Sequence, residues 1–229
     1  MSLRRDVSRL AIVIPAFNEE RVIGEVVSVA STFGAVIVVN DGSTDNTESV
    51  ARLSGALVVS HRVNLGYDKA LATGLQKALV ENFDFTITLD ADGQHEPMLI
   101  EKFLFELMDG ADLVIGVRDR RQRFSEEIFA VLSSILWGIS DPLCGMKGYR
   151  LSRLRSLSSF CSYPSVGTEL AIRVARSGWL VQEVPMTTRD RHDCSRFGVG
   201  FRANWRIIRA MLLGLSRAKA ISADGEAGF

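Results

Sequence analysis

Asp90-Ala91-Asp92-Gly93-Gln94 gathers two carboxylates and a carboxamide within five residues. If a strand precedes it, so short an Asp-x-Asp can turn both side chains toward one ion. Hard divalent cations take oxygen ligands, and Mg²⁺ is usually held by one or two carboxylates together with substrate phosphates. The same spacing equally suits an acidic turn that holds no metal. An EF-hand is the sharper alternative, because Glu101 falls at the twelfth position counted from Asp90. It fails, since His95 stands where the turn glycine belongs and Pro97 interrupts the loop. The chain contains no Gly-x-x-x-x-Gly-Lys-Ser/Thr, so a P-loop does not cradle phosphates here. Gly198-Val-Gly200-Phe-Arg-Ala203 matches a dinucleotide fingerprint weakly, near the C-terminus and with no βαβ unit after it. A diphosphate would therefore be held by a metal and by arginines.

Elements with the right order exist to position these residues. Ala11–Pro15, Ala35–Val39, Ala56–Ser60, Phe85–Leu89 and Leu113–Ile115 read as buried strands, being short and rich in β-branched residues. Between them Glu19–Ala30, Asp45–Ser54, Tyr67–Val80 and Pro97–Met108 read as helices, with Pro97 suited to a first turn. This alternation predicts an α/β fold, a mostly parallel twisted sheet with helices on both faces. Past Gly116 the pattern weakens to a helix near Ser125–Trp137, an irregular Ser140–Arg150 segment, a helix near Val166–Arg176 and a strand near Leu180–Val184. In an open parallel sheet, ligands bind at the carboxyl ends of the strands. Phe17-Asn18-Glu19, Asn40-Asp41-Gly42-Ser43 and the Asp90–Gln94 loop each follow a predicted strand, so Glu19, Asp41, Asp90 and Asp92 should share one edge. Such crowding of carboxylates needs a cation or hydrogen-bond donors to compensate.

Composition bounds the reading further. The chain has 229 residues, 47% hydrophobic and 24% charged, which suits one well-packed domain. Its 27 basic and 27 acidic residues cancel, so no general attraction to nucleic acid is expected. Cys144, Cys161 and Cys194 lack paired zinc spacing, and their odd number argues for a reducing compartment rather than a disulfide framework. The basic start followed by an apolar run mimics a signal peptide, but Pro15 and Asn18-Glu19-Glu20 favour a buried strand. The longest later uncharged stretch, Ile128 to Ser140, is too short to cross a bilayer. His61, His95 and His192 read as ordinary loop or surface histidines, with only His95 placed to support a metal ligand. Cys144 and Cys194 read as packing residues. Arg120, Arg121 and Arg123 read as a solvated basic face that could meet an anionic lipid or acceptor. Phe201–Arg217 reads as an amphipathic helix, with Arg202, Arg206 and Arg209 on one side and Trp205, Ile208, Met211, Leu212 and Leu215 on the other. It suits either a membrane interface or packing on the domain.

Three segments together resemble the family 2 glycosyltransferases of GT-A fold: Ile12-Val-Ile-Pro-Ala-Phe-Asn-Glu-Glu20, Val38-Val-Asn-Asp-Gly-Ser-Thr-Asp-Asn-Thr47 and Thr88-Leu-Asp-Ala-Asp-Gly-Gln-His-Glu-Pro97. The Asp-Ala-Asp-Gly-Gln-His form, with Asp112-Leu-Val-Ile-Gly-Val-Arg118 after it, is similar to the polyprenyl-phosphate sugar synthases, such as those using dolichyl phosphate. The resemblance runs from about residue 10 to residue 197. It implies a single domain over residues 1–229, with a nucleotide-sugar-binding half at about 10–118, an acceptor-side half at about 119–197 and the amphipathic helix at about 200–217. It further implies that Pro15, Phe17 and Glu19 line the nucleoside pocket, that Asp41 meets the base, and that Asp90 and Ala91 face the nucleotide. Asp92 and Gln94 become the ligands of Mg²⁺ or Mn²⁺. Arg118, with Arg191 and Arg196, becomes the acceptor-phosphate set, and Asp141–Arg150 and Glu169 shape the acceptor pocket. Two departures stand out. Asp68 occupies a position usual for glycine, and Asp190-Arg-His-Asp-Cys-Ser-Arg196 replaces an Arg-x-x-Gly-x-Ser-Lys element.

The implied chemistry is a metal-dependent, inverting displacement at the anomeric carbon, in which Asp92, Arg118 and Asp141 are the candidate catalytic residues. A GDP- or UDP-sugar is the donor and a polyprenyl or dolichyl phosphate the acceptor. A phosphomonoester with a second pKa of about 6 is already anionic near neutral pH, so no strong base is required. Asp141 is the candidate base if the acceptor is instead a saccharide hydroxyl, as in surface polysaccharide synthesis. A nucleotide-sugar-binding subunit without turnover is the non-enzymatic alternative, and a receiver-like domain is excluded by length and motifs. The expected partners are the donor, the lipid phosphate, a membrane surface and a membrane-protein partner, at the cytoplasmic face.

Overall fold

A computed structural model describes residues 9–93, 98–120, 124–155 and 166–187. Gln94, His95, Arg121, Arg123, Cys161, Arg191, His192, Cys194, Arg196 and the 200–217 segment lie outside the described residues. The strands are β1 (Leu10–Ala16), β2 (Ala35–Asn40), β3 (Leu57–Ser60), β4 (Phe85–Thr88), β5 (Leu113–Arg118), β6 (Lys147–Arg150) and β7 (Val181–Met186). The helices are α1 (Ile23–Ala30), α2 (Thr47–Leu53), α3 (Tyr67–Val80), α4 (Leu99–Met108), α5 (Phe124–Trp137), α6 (Leu151–Leu154) and α7 (Val166–Arg176).

One seven-stranded sheet runs in the order β3-β2-β1-β4-β6-β5-β7. Every pairing is parallel except those of β6, which is antiparallel to both β4 and β5. Every residue of β1 is buried, as expected for a central strand covered on both faces. Alternate residues divide between two cores. Ile12, Ile14, Val36, Val38, Ile87 and Val114 pack with α1, α2 and α4 through Ile23, Val27, Ala51, Ile100, Phe103 and Leu107. Ala11, Val13, Ile37, Leu113, Ile115 and Tyr149 pack with α3 and α7 through Leu71, Leu75, Leu170 and Val174. The two-residue period of the strands thus yields helices on both faces. Gly74 lets α3 settle on β1, since a Cβ there would lie 2.3 Å from Val13 Cγ1.

One stretch departs from the sequence expectation. The Ser140–Arg150 stretch, read as irregular, contains β6 and leads directly into the short helix α6. Four residues are too few to reveal a strand by periodicity, and β6 forms because β4 and β5 each offer it an edge. Pro15 sits inside β1 although proline cannot donate to a ladder. Pairing with β4 ends at Val13, so Pro15 lies where β1 is paired on the β2 side only.

Candidate active site

Because β1, β2 and β4 are adjacent and parallel, the segments leaving Ala16, Asn40 and Thr88 emerge at one edge. The first two loops are stitched together. Asn18, in the left-handed region at φ 54°, accepts from the Thr44 amide at 2.9 Å, and its own amide donates to Ser43 Oγ at 3.0 Å. The Glu19 amide donates to Thr47 Oγ1 at 2.7 Å. Pro15 is buried, while Phe17 and Glu19 are half-buried at the mouth of this edge.

Asp41 is only 3% exposed. Its Oδ1 accepts from the Leu65 amide at 2.9 Å and contacts His61 Nδ1 at 2.7 Å, and its Oδ2 accepts from the Gly66 amide at 2.8 Å. His61 Nε2 in turn meets Thr73 Oγ1 at 3.0 Å. The Asp41 carboxylate therefore shapes the loop that opens α3, and His61 is a bridge in that network rather than an ordinary surface histidine. The loop delivers Tyr67, whose hydroxyl donates to Asp90 Oδ1 at 3.0 Å. Asp68 stands in the first turn of α3, where a carboxylate suits the helix dipole.

Asp90 and Asp92 are half-buried on either side of the buried Ala91. The missing side chain of Gly145 makes room for Asp90, because a Cβ there would stand 2.2 Å from Oδ2. Gly145 is held in turn by Thr88, whose Oγ1 donates to its carbonyl at 2.7 Å. Among the described residues no group of three or more His, Cys, Asp or Glu side chains gathers as a metal cage. The oxygen donors of Asp90 and Asp92 fit a hard divalent ion of the kind that takes its other ligands from substrate phosphates and water.

Across the edge, β5 ends at Arg118. Its Nε donates to Asp141 Oδ2 at 2.7 Å and one terminal nitrogen to Asp141 Oδ1 at 2.9 Å, with Glu126 3.4 Å from that same nitrogen. The Arg118 amide also donates to Asp141 Oδ2 at 3.2 Å. Although burial alone favours the neutral form, the bonds to Asp141 raise the guanidinium's pKa, so it stays charged. By sequence Arg118 and Asp141 stand in separate roles, and the fold joins them as a fork-to-fork ion pair.

Antiparallel β6 starts at the same edge, and its first residue, Lys147, is paired with Thr88, the last of β4. Lys147 is 3% exposed, and its ammonium donates to the Cys144 carbonyl. Burial is the largest influence on that ammonium and leaves its pKa below the ordinary lysine value, although Cys144, Asp141 and Asp90 push it up. Cys144 is a free, buried packing thiol raised to about 12, chiefly by burial and also by Asp141. Glu169 is buried on α7. Arg120 is exposed just beyond β5. Sequence reasoning missed Tyr67 and held Gly145 and Lys147 only within the Asp141–Arg150 segment assigned to the acceptor pocket. The Asn64–Ala70 stretch drew notice only for Asp68, and Lys147 gains its meaning from the pairing of β6. No described helix is long and apolar enough to cross a membrane.

This geometry has known counterparts. Over 195 residues the chain is 33% identical to a dolichyl-phosphate hexose transferase of Haloferax volcanii, covering 80% of this chain and 83% of that one. It is 27% identical over 235 residues to a UDP-N-acetylglucosamine–dolichyl-phosphate N-acetylglucosaminyltransferase of Methanococcus voltae, covering 86% and 94%. A glucosyl-3-phosphoglycerate synthase from Mycobacterium tuberculosis, solved in complex with Mg²⁺ and uridine diphosphate, superimposes with a TM-score of 0.74 at 26% identity, covering 91% of this chain and 79% of that one. The model of glycosyl transferase family 2 matches residues 11–161. The chain belongs to that family and is a glycosyltransferase.

Proposed function

We propose that the enzyme transfers a sugar from a nucleotide diphosphate donor to a polyprenyl or dolichyl phosphate, with inversion and with a divalent cation. The relatives that act on dolichyl phosphate support the acceptor class. The observation that carries the reading is the engagement of Asp141. Both of its oxygens already accept from Arg118, which suits a residue that positions a guanidinium better than one that takes a proton. A phosphate acceptor, being anionic already, needs no such base. The alternative transfer to a saccharide hydroxyl needs one.

On this reading Pro15, Phe17 and Glu19 border the nucleoside, and Tyr67 holds Asp90 in place beside the donor diphosphate. Asp41 acts on the base pocket chiefly through the 61–66 loop that it organises. Asp92, with Gln94, would hold Mg²⁺ or Mn²⁺, and that ion would neutralise charge on the departing diphosphate. Arg118, oriented by Asp141, would meet the acceptor phosphate, with Arg191 and Arg196 completing that set. The protein would work at a membrane surface, with the 200–217 segment as the candidate contact.

The test is a transfer assay with UDP- and GDP-sugars. Short polyprenyl phosphates and free saccharides serve as acceptors, each with Mn²⁺, with Mg²⁺ and in excess chelator. Transfer to the lipid phosphate alone, abolished by chelation, is the expected result. Asp92→Asn should remain folded and lose roughly 10²–10³-fold in turnover, the scale of one lost electrostatic stabiliser. Glycosylation of the saccharide but never of the lipid phosphate would overturn the acceptor assignment, and full activity in chelator would overturn the metal.

A further inference from the structure

Among the described residues, Lys147 is the one buried cation at this edge without a carboxylate in direct contact. Arg118 has its charge matched by Asp141 and, at longer range, by Glu126. The Lys147 ammonium has three protons to donate, and Cys144 O is its single hydrogen-bond acceptor among the described residues. Gly167, in the first turn of α7, comes close enough that a Cβ there would lie 3.8 Å from Nζ. Asp90, Asp141 and Arg118 are all near enough to act on it electrostatically. Removing an ammonium from water is costly unless it is paired and hydrogen-bonded. An apolar side chain of similar length would serve the packing at least as well. A charge kept where the fold does not need it points to function.

We propose that Lys147 is an electrostatic positioning residue for the donor, supplying from beneath the Asp90 loop a fixed positive charge that favours the diphosphate of a nucleotide diphosphate. The proposal rests on the donor reading above but not on the acceptor. Placement follows from topology: β6 runs antiparallel, so its first residue arrives beside the end of β4, where the Asp90–Asp92 loop begins. Thr88 locks the two together, accepting from the Lys147 amide at 3.1 Å while donating to Gly145 O. The charge is therefore fixed relative to Asp90 before any ligand arrives, which is the condition for effective electrostatic preorganisation.

The experiment compares the full chain with Lys147→Met and Lys147→Arg, measuring binding of UDP and UMP, and of GDP and GMP, by calorimetry in Mn²⁺. Lys147→Met should keep or raise the melting temperature. It should shrink the preference for diphosphate over monophosphate by about ten- to a hundredfold, the scale of one charge-assisted contact. Lys147→Arg, which keeps the charge, should restore most of that preference. An unchanged preference in a folded Lys147→Met overturns the proposal, as does an equal loss of mono- and diphosphate affinity, which would mark a purely structural role. Should Lys147→Met fail to fold, Lys147→Gln carries the same comparison. Wild-type chain that binds neither diphosphate overturns the donor reading itself. Wild-type chain that binds a diphosphate but never glycosylates a lipid phosphate overturns only the acceptor.

Discussion

Replacing Gly145 with alanine tests the packing of the site without removing a charged group. The new Cβ would stand 2.2 Å from Asp90 Oδ2 and 2.7 Å from both Cγ and Oδ1. Ordinary contact begins near 3.4 Å, so the carboxylate must retreat by about 1 Å. That retreat breaks or lengthens the 3.0 Å hydrogen bond from Tyr67. The backbone does not object, because Gly145 is not among the residues with positive φ. Alanine at a compatible glycine position stabilises by about 0.4–1 kcal/mol through the unfolded state. An off-rotamer Asp90 costs about 0.5–1.5 kcal/mol. The two nearly cancel, so the melting temperature should move by only a few degrees at most. Function should respond far more, because a misplacement of about 1 Å costs roughly 10²-fold in rate. Steady-state donor turnover, paired with thermal unfolding, reads both quantities. A Gly145→Ala chain of normal stability that turns over donor at the wild-type rate would show that the position of Asp90 is not critical.

The Arg118–Asp141 pair predicts a thermodynamic cycle. Asp141→Ala alone should destabilise by about 3 kcal/mol by leaving a buried guanidinium with only the more distant Glu126, and adding Arg118→Met should recover part of that loss in urea unfolding. Simple additivity of the two losses would refute the pair as a unit. Cys144, raised to about 12 by burial, should resist iodoacetamide at pH 8 in the native chain and label readily once unfolded, as read by peptide mass spectrometry. Because its folded pKa lies above its unfolded value, the stability linked to it is complete below about 9 and lost as pH rises toward about 12. Native labelling at the unfolded rate would contradict its burial.

Much of the fold was legible in the residues themselves. Runs such as Ala11–Pro15 and Ala35–Val39 are apolar at every position, and only a strand covered on both faces has use for that. The helical periods between them then require a parallel sheet, and chain order alone carries Glu19, Asp41, Asp90 and Asp92 to its carboxyl edge. The resemblance to family 2 glycosyltransferases followed from the same acidic segments. What could not be read was which side chains meet. The sequence places Asp41 at the edge, but only the folded 61–66 loop shows its carboxylate occupied by two amides and His61. Arg118 and Asp141 stand 23 positions apart and each reads as a free catalytic candidate, yet the fold turns them into a single ion pair. β6 is the deepest case. Four residues carry no periodic signal, and their strand exists because β4 and β5 present facing edges. Its reversed direction then brings Gly145 and Lys147 to the carboxyl ends of parallel neighbours. Local residue type determines elements through short-range sterics and burial, whereas contacts across 50 or more positions, such as Thr88 with Gly145 and Lys147, exist only once the sheet has chosen its order.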